Sequence, residues 1–394
     1  MARADSGAIR GGQAVPDLLI AGAGVAGLWL AVKAARAGLS VMLVERGNPG
    51  GGASGGFLGA LMPHNPERWN AKKDFQFRAL VDLEAEITRL EAETGQFCAY
   101  RRVGRLLPLT TERARKAALE QVPEARMNWG AGYDFDVNHA SDHTRWPDIL
   151  HTSHGVVRET LSARISPTGL IGALLARLAV MPGIELRFGT AVEDVSPHHR
   201  MARLTDGSSV SFGHIALANG VDAFPLIARA AGLPETSLGS AVKGQAALLD
   251  AKVDPGLPLV YDDGVYVIAH QNGHVAVGST SERDFEDAHG TDERLEHVVA
   301  RARKLCPLIK HAAVIRRWAG LRPRAVGRDP MLGPVPGAPA VLAMAGGFKI
   351  SFGIAHRMAD CLIAGITGID GPETPQSFSI EWHAAKAARS STAT

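Results

Sequence analysis

The segment "DLLIAGAGVAGLWLAVKAARAGLSVMLVER", from Asp17 to Arg46, constrains the fold of this chain more than any other stretch. "LLIAG" is a short unbroken apolar run, the pattern of a strand buried on both faces. Gly22, Gly24 and Gly27 follow in G-x-G-x-x-G spacing. Apolar residues then recur at helical spacing as far as Gly38, a helix stop, and "LSVMLVE" reads as a second buried strand ending in Glu45. Strand, glycine turn, helix and strand in this order predict a dinucleotide-binding unit. Gly22 permits the tight turn, Gly24 lets a pyrophosphate approach the backbone, and Gly27 lets helix and strand pack closely. Val25 and Ala26 open the helix, where free N–H groups and the helix dipole favour phosphate. Glu45, with Arg46 beside it, is placed to accept hydrogen bonds from a ribose, and an acid there disfavours the 2′-phosphate of NADP.

Directly after that acid comes "GNPGGGASGG", residues 47–56, with six glycines in ten positions. A linker is the simplest reading of such a run, but its position argues for continued contact with an extended dinucleotide. Ala53, Ser54 and Gly55 can bring backbone N–H groups against a phosphate or ring edge with no side chain in the way. NAD rarely needs this; FAD, with its large tricyclic ring, does.

The bulk properties agree with a large soluble enzyme. At 394 residues the chain exceeds one typical core. Its 42 basic and 40 acidic residues nearly balance, which argues against nucleic acid as a partner. Cys98, Cys306 and Cys361 are scattered with no CxxC pair, so neither a disulfide framework nor a metal site is expected, and a cytoplasmic location fits. Residues 1–16 read as a disordered tail without a secretory apolar segment. No apolar run reaches the roughly 18 residues that span a bilayer, so no membrane is expected.

Further segments extend the pattern: "GASGGFLGALMP" (52–63), "ISPTGLIGALLARL" (165–178), "GTAVEDV" (189–195), "IALANGVDA" (215–223), "KGQAALLD" (243–250), "VYVIAH" (265–270), "HVAVGSTSE" (274–282), "RRWAGLRP" (316–323) and "VLAMAGGFKISFGIAHRMADCLIAG" (341–365). In this order they resemble the D-amino-acid-oxidase-like FAD-dependent oxidoreductases, and "WAGLRP" brings the glycine oxidase branch nearest. The resemblance implies an α/β fold, with a Rossmann-like FAD-binding domain and an inserted, mainly antiparallel substrate domain. Residues 17–95, 156–232 and 319–394 would form the first, and 96–155 and 233–318 the second. It further implies noncovalent FAD, with Val192 near the adenine and Ala218, Asn219 and Gly220 returning to the dinucleotide. The turn Gly347, Phe348, Lys349 and Ile350 would lie over the flavin.

The function implied is oxidation of a small amine or amino acid that bears a carboxylate. Hydride would pass from a substrate carbon to flavin N5, leaving an imine that hydrolyses. Arg322 is the expected carboxylate clamp, since a guanidinium fork binds carboxylates bidentately. The resemblance places Tyr266 beside that carboxylate, and Lys349 where the branch has an arginine. Gly264 and Ser281 stand where the branch has a histidine and a methionine, implying a roomier, more polar pocket. An aromatic-rich stretch at 127–155 carries Trp129, His139, His143 and Trp146, expected either at the substrate mouth or on a surface flap. Dioxygen or another acceptor would take the electrons, and homo-oligomerisation is left open. Three alternatives stand beside this reading: an oxidase of tRNA carboxymethylaminomethyl-uridine processing, a 2-hydroxy-acid dehydrogenase, and an electron-relaying flavoprotein subunit.

Overall fold

The computed structural model describes residues 15–391, so nearly all of the expected disordered tail lies outside the described residues. Its first sheet has six strands, in the order Met331–Val335, Ala338–Ala345, His214–Leu217, Leu18–Ala21, Val41–Glu45 and Ile184–Phe188. Every neighbouring pair is parallel except the hairpin Met331–Val335/Ala338–Ala345. Parallel strands need cover on both faces. Leu18 and Ile20 point into one apolar layer with the helices Val25–Arg36, Ala71–Thr94, Pro167–Ala179 and Ser351–Thr367. Leu19 and Ala21 point into the other, with the helix Ala223–Ala230 and a three-stranded antiparallel sheet spanning 192–211. The strand, glycine turn and helix read from the sequence thus lie at the centre of a doubly covered sheet.

The second sheet has eight strands. From one edge they are Ala313–Ala325, Gly239–Asp250, Val275–Gly278, Val265–Ala269, Leu259–Asp262, Arg105–Pro108, Val156–Glu159 and Phe135–Asn138. Pairing is antiparallel apart from Leu259–Asp262 with Arg105–Pro108. The helix Glu293–Leu305 covers one face. On the other, Ala246, Leu259, Ile268 and Ala276 meet Phe57 and Leu58 from the glycine-rich segment. Val156 begins one of its strands, and residue 318 lies inside another. That longest strand pairs with Gly239–Asp250 from Ala325 back to Ala313, and its Arg324 also bridges to Gly347. It therefore joins the two sheets, with Arg322 close to the joint.

The long helix Ala71–Thr94 is capped at both ends and buries an apolar stripe. Asn70 accepts a hydrogen bond from Lys73 N at 3.1 Å, and Gly95 closes the helix with a φ of 66°. Leu80, Leu83, Ile87 and Leu90 are all buried in the core. On this helix Lys72 pairs with Asp329 at 2.5 Å, and Lys73 donates to the Asn65 and Glu67 carbonyls. All three cysteines are buried as free thiols, and no described helix is long and apolar enough to cross a membrane.

The stretch 127–155 does not reach the substrate mouth. Trp129 and Trp146 are 3% and 0% exposed, and the Trp146 indole N–H donates to the Pro258 carbonyl at 2.8 Å. His139 is exposed and His143 half-buried, and neither borders the cleft described below. The physical reason is topological: the segment builds the sheet edge opposite to the strand that carries Arg322. Its aromatics serve as core, and its histidines lie outside that core.

Candidate active site

A cleft of about 750 Å³ runs between the two sheets, from the glycine motif to Tyr266 and Arg322. Its first wall is backbone. Gly22 has a φ of 99°, and a Cβ there would sit 2.6 Å from the Cα of Asn219. Position 22 therefore accepts only glycine, for its dihedral and for its neighbour alike. Gly24 opens the helix Val25–Arg36 without a side-chain cap of its own. Instead, Val25 N donates to Ser54 Oγ at 3.0 Å, pinning the glycine-rich segment onto the helix start. Gly27 does not line the cleft; a Cβ there would collide with the Gly22 carbonyl, so it serves the close packing expected of it.

Glu45 Oε2 accepts from Ala23 N at 2.8 Å and Oε1 from Gly47 N at 3.0 Å. A carboxylate has about four acceptor sites, so two remain for a cleft ligand. Arg46 sits on the lip, paired with Asp222 at 2.7 Å. Ala26, Ala53, Val192, Ala218, Asn219 and Gly220 line the same cleft. Asn219 Oδ1 is buried there with no donor. At the other end come Gly347, Phe348, Lys349 and Ile350, just before the uncapped N-terminus of the helix Ser351–Thr367. Phe348 holds a φ of 43°, a left-handed conformation rare for a bulky side chain. It turns the chain so that Lys349 borders the cleft.

Gly55 departs from expectation. It does not line the cleft, and its missing Cβ faces the Gly50 carbonyl and the Trp318 indole, 2.9 and 3.5 Å away. A Cβ at Gly56 would stand 3.3 Å from the same ring, and one at Gly320 would overlap it. Part of the glycine run thus exists to seat Trp318, which lines the cleft. Trp318 was not singled out from the sequence, yet it lies two strand periods before Arg322, on the same face. That alternation was the available signal.

Arg322 is 8% exposed, and Nη1 donates to the Thr280 carbonyl at 3.0 Å. Its guanidinium lies where a Cβ of Gly244 would be, so that glycine on the paired strand makes room for it. Burial pulls the Arg322 pKa below the ordinary value, with Tyr266 and Glu282 opposing; it stays a cation at any working pH. The Tyr266 phenol is pushed up to about 12 by burial and then by Tyr261, against the pull of Arg322 and Arg105. It is therefore a neutral donor. The Tyr261 and Tyr266 rings meet at a tilt of 60° with centroids 4.8 Å apart, a cross-strand pair. Lys349 is exposed only in the sense that it faces the cleft; protein crowding around it, and then Arg322, pull its ammonium down to about 8.

Two expected pocket changes fall elsewhere. Ser281 is exposed and away from the cleft, because the strand Val275–Gly278 has already ended; Ser279 lines the cleft in its place. Gly264 occupies the hairpin turn before Tyr266 with a φ of 83°, so turn geometry accounts for it. Met62, His64 and His289 also line the cleft and were not anticipated. His64 N donates to Gln76 Oε1 at 2.9 Å, and burial lowers the imidazole pKa.

The cleft fits FAD on its own geometry. Gly22 at its wall has no room for a side chain, two helix N-termini border it without a cap from their own N-cap side chains, and a buried Asn219 oxygen awaits a donor. Comparison with known proteins agrees. The model of a protein family described as "FAD dependent oxidoreductase" matches residues 17–361. The glycine oxidase of Pseudomonas putida is 27% identical over 373 residues, covering 93% of this chain and 98% of that protein. The crystal structure of glycine oxidase from Geobacillus kaustophilus superposes with a TM-score of 0.83 at 21% identity, covering 93% of this chain and 99% of the other. That of iminodiacetate oxidase from Chelativorans gives 0.80 at 22% identity, covering 92% and 98%. At such identities the two structures speak for the fold.

Proposed function

The chain belongs to the FAD-dependent oxidoreductase family, and from that premise we propose that it oxidises a small amine or amino acid bearing a carboxylate. The observation that carries this reading is Arg322, a buried guanidinium beside a neutral tyrosine donor at the end of a dinucleotide cleft. The glycine oxidase relatives support it. We read the six-stranded sheet as the cofactor domain and the eight-stranded sheet as the substrate domain. FAD is held noncovalently, by the backbone of Gly22, Gly24, Val25 and Ala26, by Glu45, and by the turn Gly347–Ile350. The bound flavin supplies the acceptor for a hydride from the substrate carbon.

The chain's own residues bind and orient. Arg322 pairs with the substrate carboxylate, and Tyr266 O–H donates to the same group. Together they fix the position of the neighbouring carbon, and that positioning is the protein's main contribution to rate. Trp318 and Met62 wall the cleft against water. The imine product hydrolyses to a carbonyl compound and an amine. Dioxygen is the acceptor we favour, and three buried thiols suit the reducing cytoplasm. The test is turnover with glycine, sarcosine, D-amino acids and 2-hydroxy acids, scored by carbonyl release with oxygen or a dye as acceptor. Carbonyl and amine released together support the reading. Release from hydroxy acids alone replaces it with the dehydrogenase alternative.

Lys349 adds a pH dependence. Its ammonium loses its proton near pH 8, where an ordinary lysine at 10.5 would keep it. Carboxylate affinity therefore holds below about pH 8 and falls as pH rises through it. Acetate, which has no titrating amine, is the right probe, read by perturbation of the flavin spectrum. Lys349→Met should flatten the profile at a lower affinity. Lys349→Arg should keep it flat to about pH 10, because a guanidinium does not deprotonate.

A further inference from the structure

Arg105 is a buried cation for which amine oxidation with a single carboxylate has no use. It begins the strand Arg105–Pro108, opposite Leu259 on one side and Glu159 on the other. Directly opposed residues share a sheet face, and Leu259 belongs to the apolar group that meets Phe57. Arg105 thus projects toward the cleft side. Its side chain is 5% exposed, with Nε 2.9 Å from Glu159 Oε1. Nη1 lies 3.7 Å from the sulfur of Met62, which lines the cleft. Nη2 is buried with no hydrogen-bond partner.

Glu159 does not satisfy this group. Its two oxygens also accept from Ser162 N, at 2.9 Å, and from Ser162 Oγ. A buried guanidinium donor left unpaired carries a desolvation cost that native proteins seldom leave unmet. The placement suggests what meets it. In the sheet order the strand of Tyr266 lies between those of Arg105 and Arg322, and both charges act on its phenol. Arg105 does not itself line the cleft; Met62, which does, stands at Nη1, and an unbranched thioether moves aside readily.

Building on the amine-oxidation reading, we propose that Arg105 recognises a second anionic group of the substrate. The preferred substrates are then amines with two carboxylates, one held by Arg322 and the distal one by Arg105 Nη2. The rival is a purely structural pair with Glu159 that anchors two strands. A ratio separates them, because a folding defect scales both of its members equally.

The holoenzyme is titrated with malonate, succinate and glutarate, and with acetate, propionate and butyrate, and dissociation constants are read from the flavin spectrum. The best diacid should bind at least tenfold more tightly than the best monoacid. Arg105→Met should bring that ratio to near one, and Arg105→Lys to an intermediate value. If Arg105→Met does not fold, Arg105→Met/Glu159→Gln removes the stranded carboxylate and reads the same ratio. A wild-type ratio near one, or a ratio unchanged in the folded variants, overturns the proposal. Tight diacid binding by a protein whose flavin no amine reduces would retain Arg105 and reject the amine reading, so the two failures are distinguishable.

Discussion

Arg322→Ala lowers kcat/KM for a carboxylate-bearing amine by roughly 10- to 150-fold, the rate equivalent of about 1.5–3 kcal/mol for hydrogen bonds to a charged group. Three features make the effect large. The guanidinium is almost fully buried, so little water competes for the incoming carboxylate. It is held by the Thr280 carbonyl, so it is oriented before substrate arrives. It sits over Gly244, so no other side chain can take its place. The loss should appear in both KM and kcat, since the clamp holds the bound substrate and also positions its reacting carbon. Arg322→Lys should recover only a small part, because a lysine supplies the charge without the fork. The yellow colour of the purified variant serves as the control for an intact cofactor site. A variant that keeps its flavin and its kcat/KM would show that the carboxylate is bound elsewhere.

Gly27→Ala should cost the protein its cofactor and several kcal/mol of stability, although Gly27 does not line the cleft. The added Cβ collides with the carbonyl of Gly22, and backbone cannot swing aside as a side chain does. Relief requires the helix Val25–Arg36 to move off the strand Leu18–Ala21. Its start, carrying Val25 N and the Ser54 contact, moves with it. Overpacking of a tight core typically costs about 1–3 kcal/mol, and a clash with rigid backbone belongs at or above the top of that range. Thermal unfolding and the ratio of flavin to protein absorbance check this together. A lowered melting temperature with full flavin content would mean that the helix start is not what holds the dinucleotide.

The parts of the fold that are local in sequence were legible in it. The strand, turn and helix at Leu18–Arg36 announce themselves because the glycine spacing falls between a buried strand and a helix, although what crowds Gly22 is the distant Asn219. The apolar stripe of the helix Ala71–Thr94 follows its 3.6-residue period. Arg322, Tyr266 and Lys349 line one cleft. What escaped depends on long-range pairing. Gly55 looked like a cofactor contact, yet it answers to Trp318, more than 250 residues away. Ser281 looked like a pocket residue because the end of its strand, at Gly278, cannot be read from composition. Trp146 looked like a residue of the substrate mouth or of a surface flap, and only the sheet order shows that its segment builds the far edge. Arg105 gave no sequence signal, since its meaning lies in the register that sets it beside Leu259 and Glu159.

The measurement that bears most directly on the account is the anaerobic visible spectrum of the purified protein during addition of amine carboxylates, with Arg322→Ala alongside. The account predicts a yellow protein whose flavin bands bleach with at least one such amine, at a far higher amine concentration in the variant. A yellow protein that only 2-hydroxy acids or no tested donor can bleach would contradict the amine reading. A colourless protein that cannot be reconstituted with FAD would contradict the cleft assignment itself.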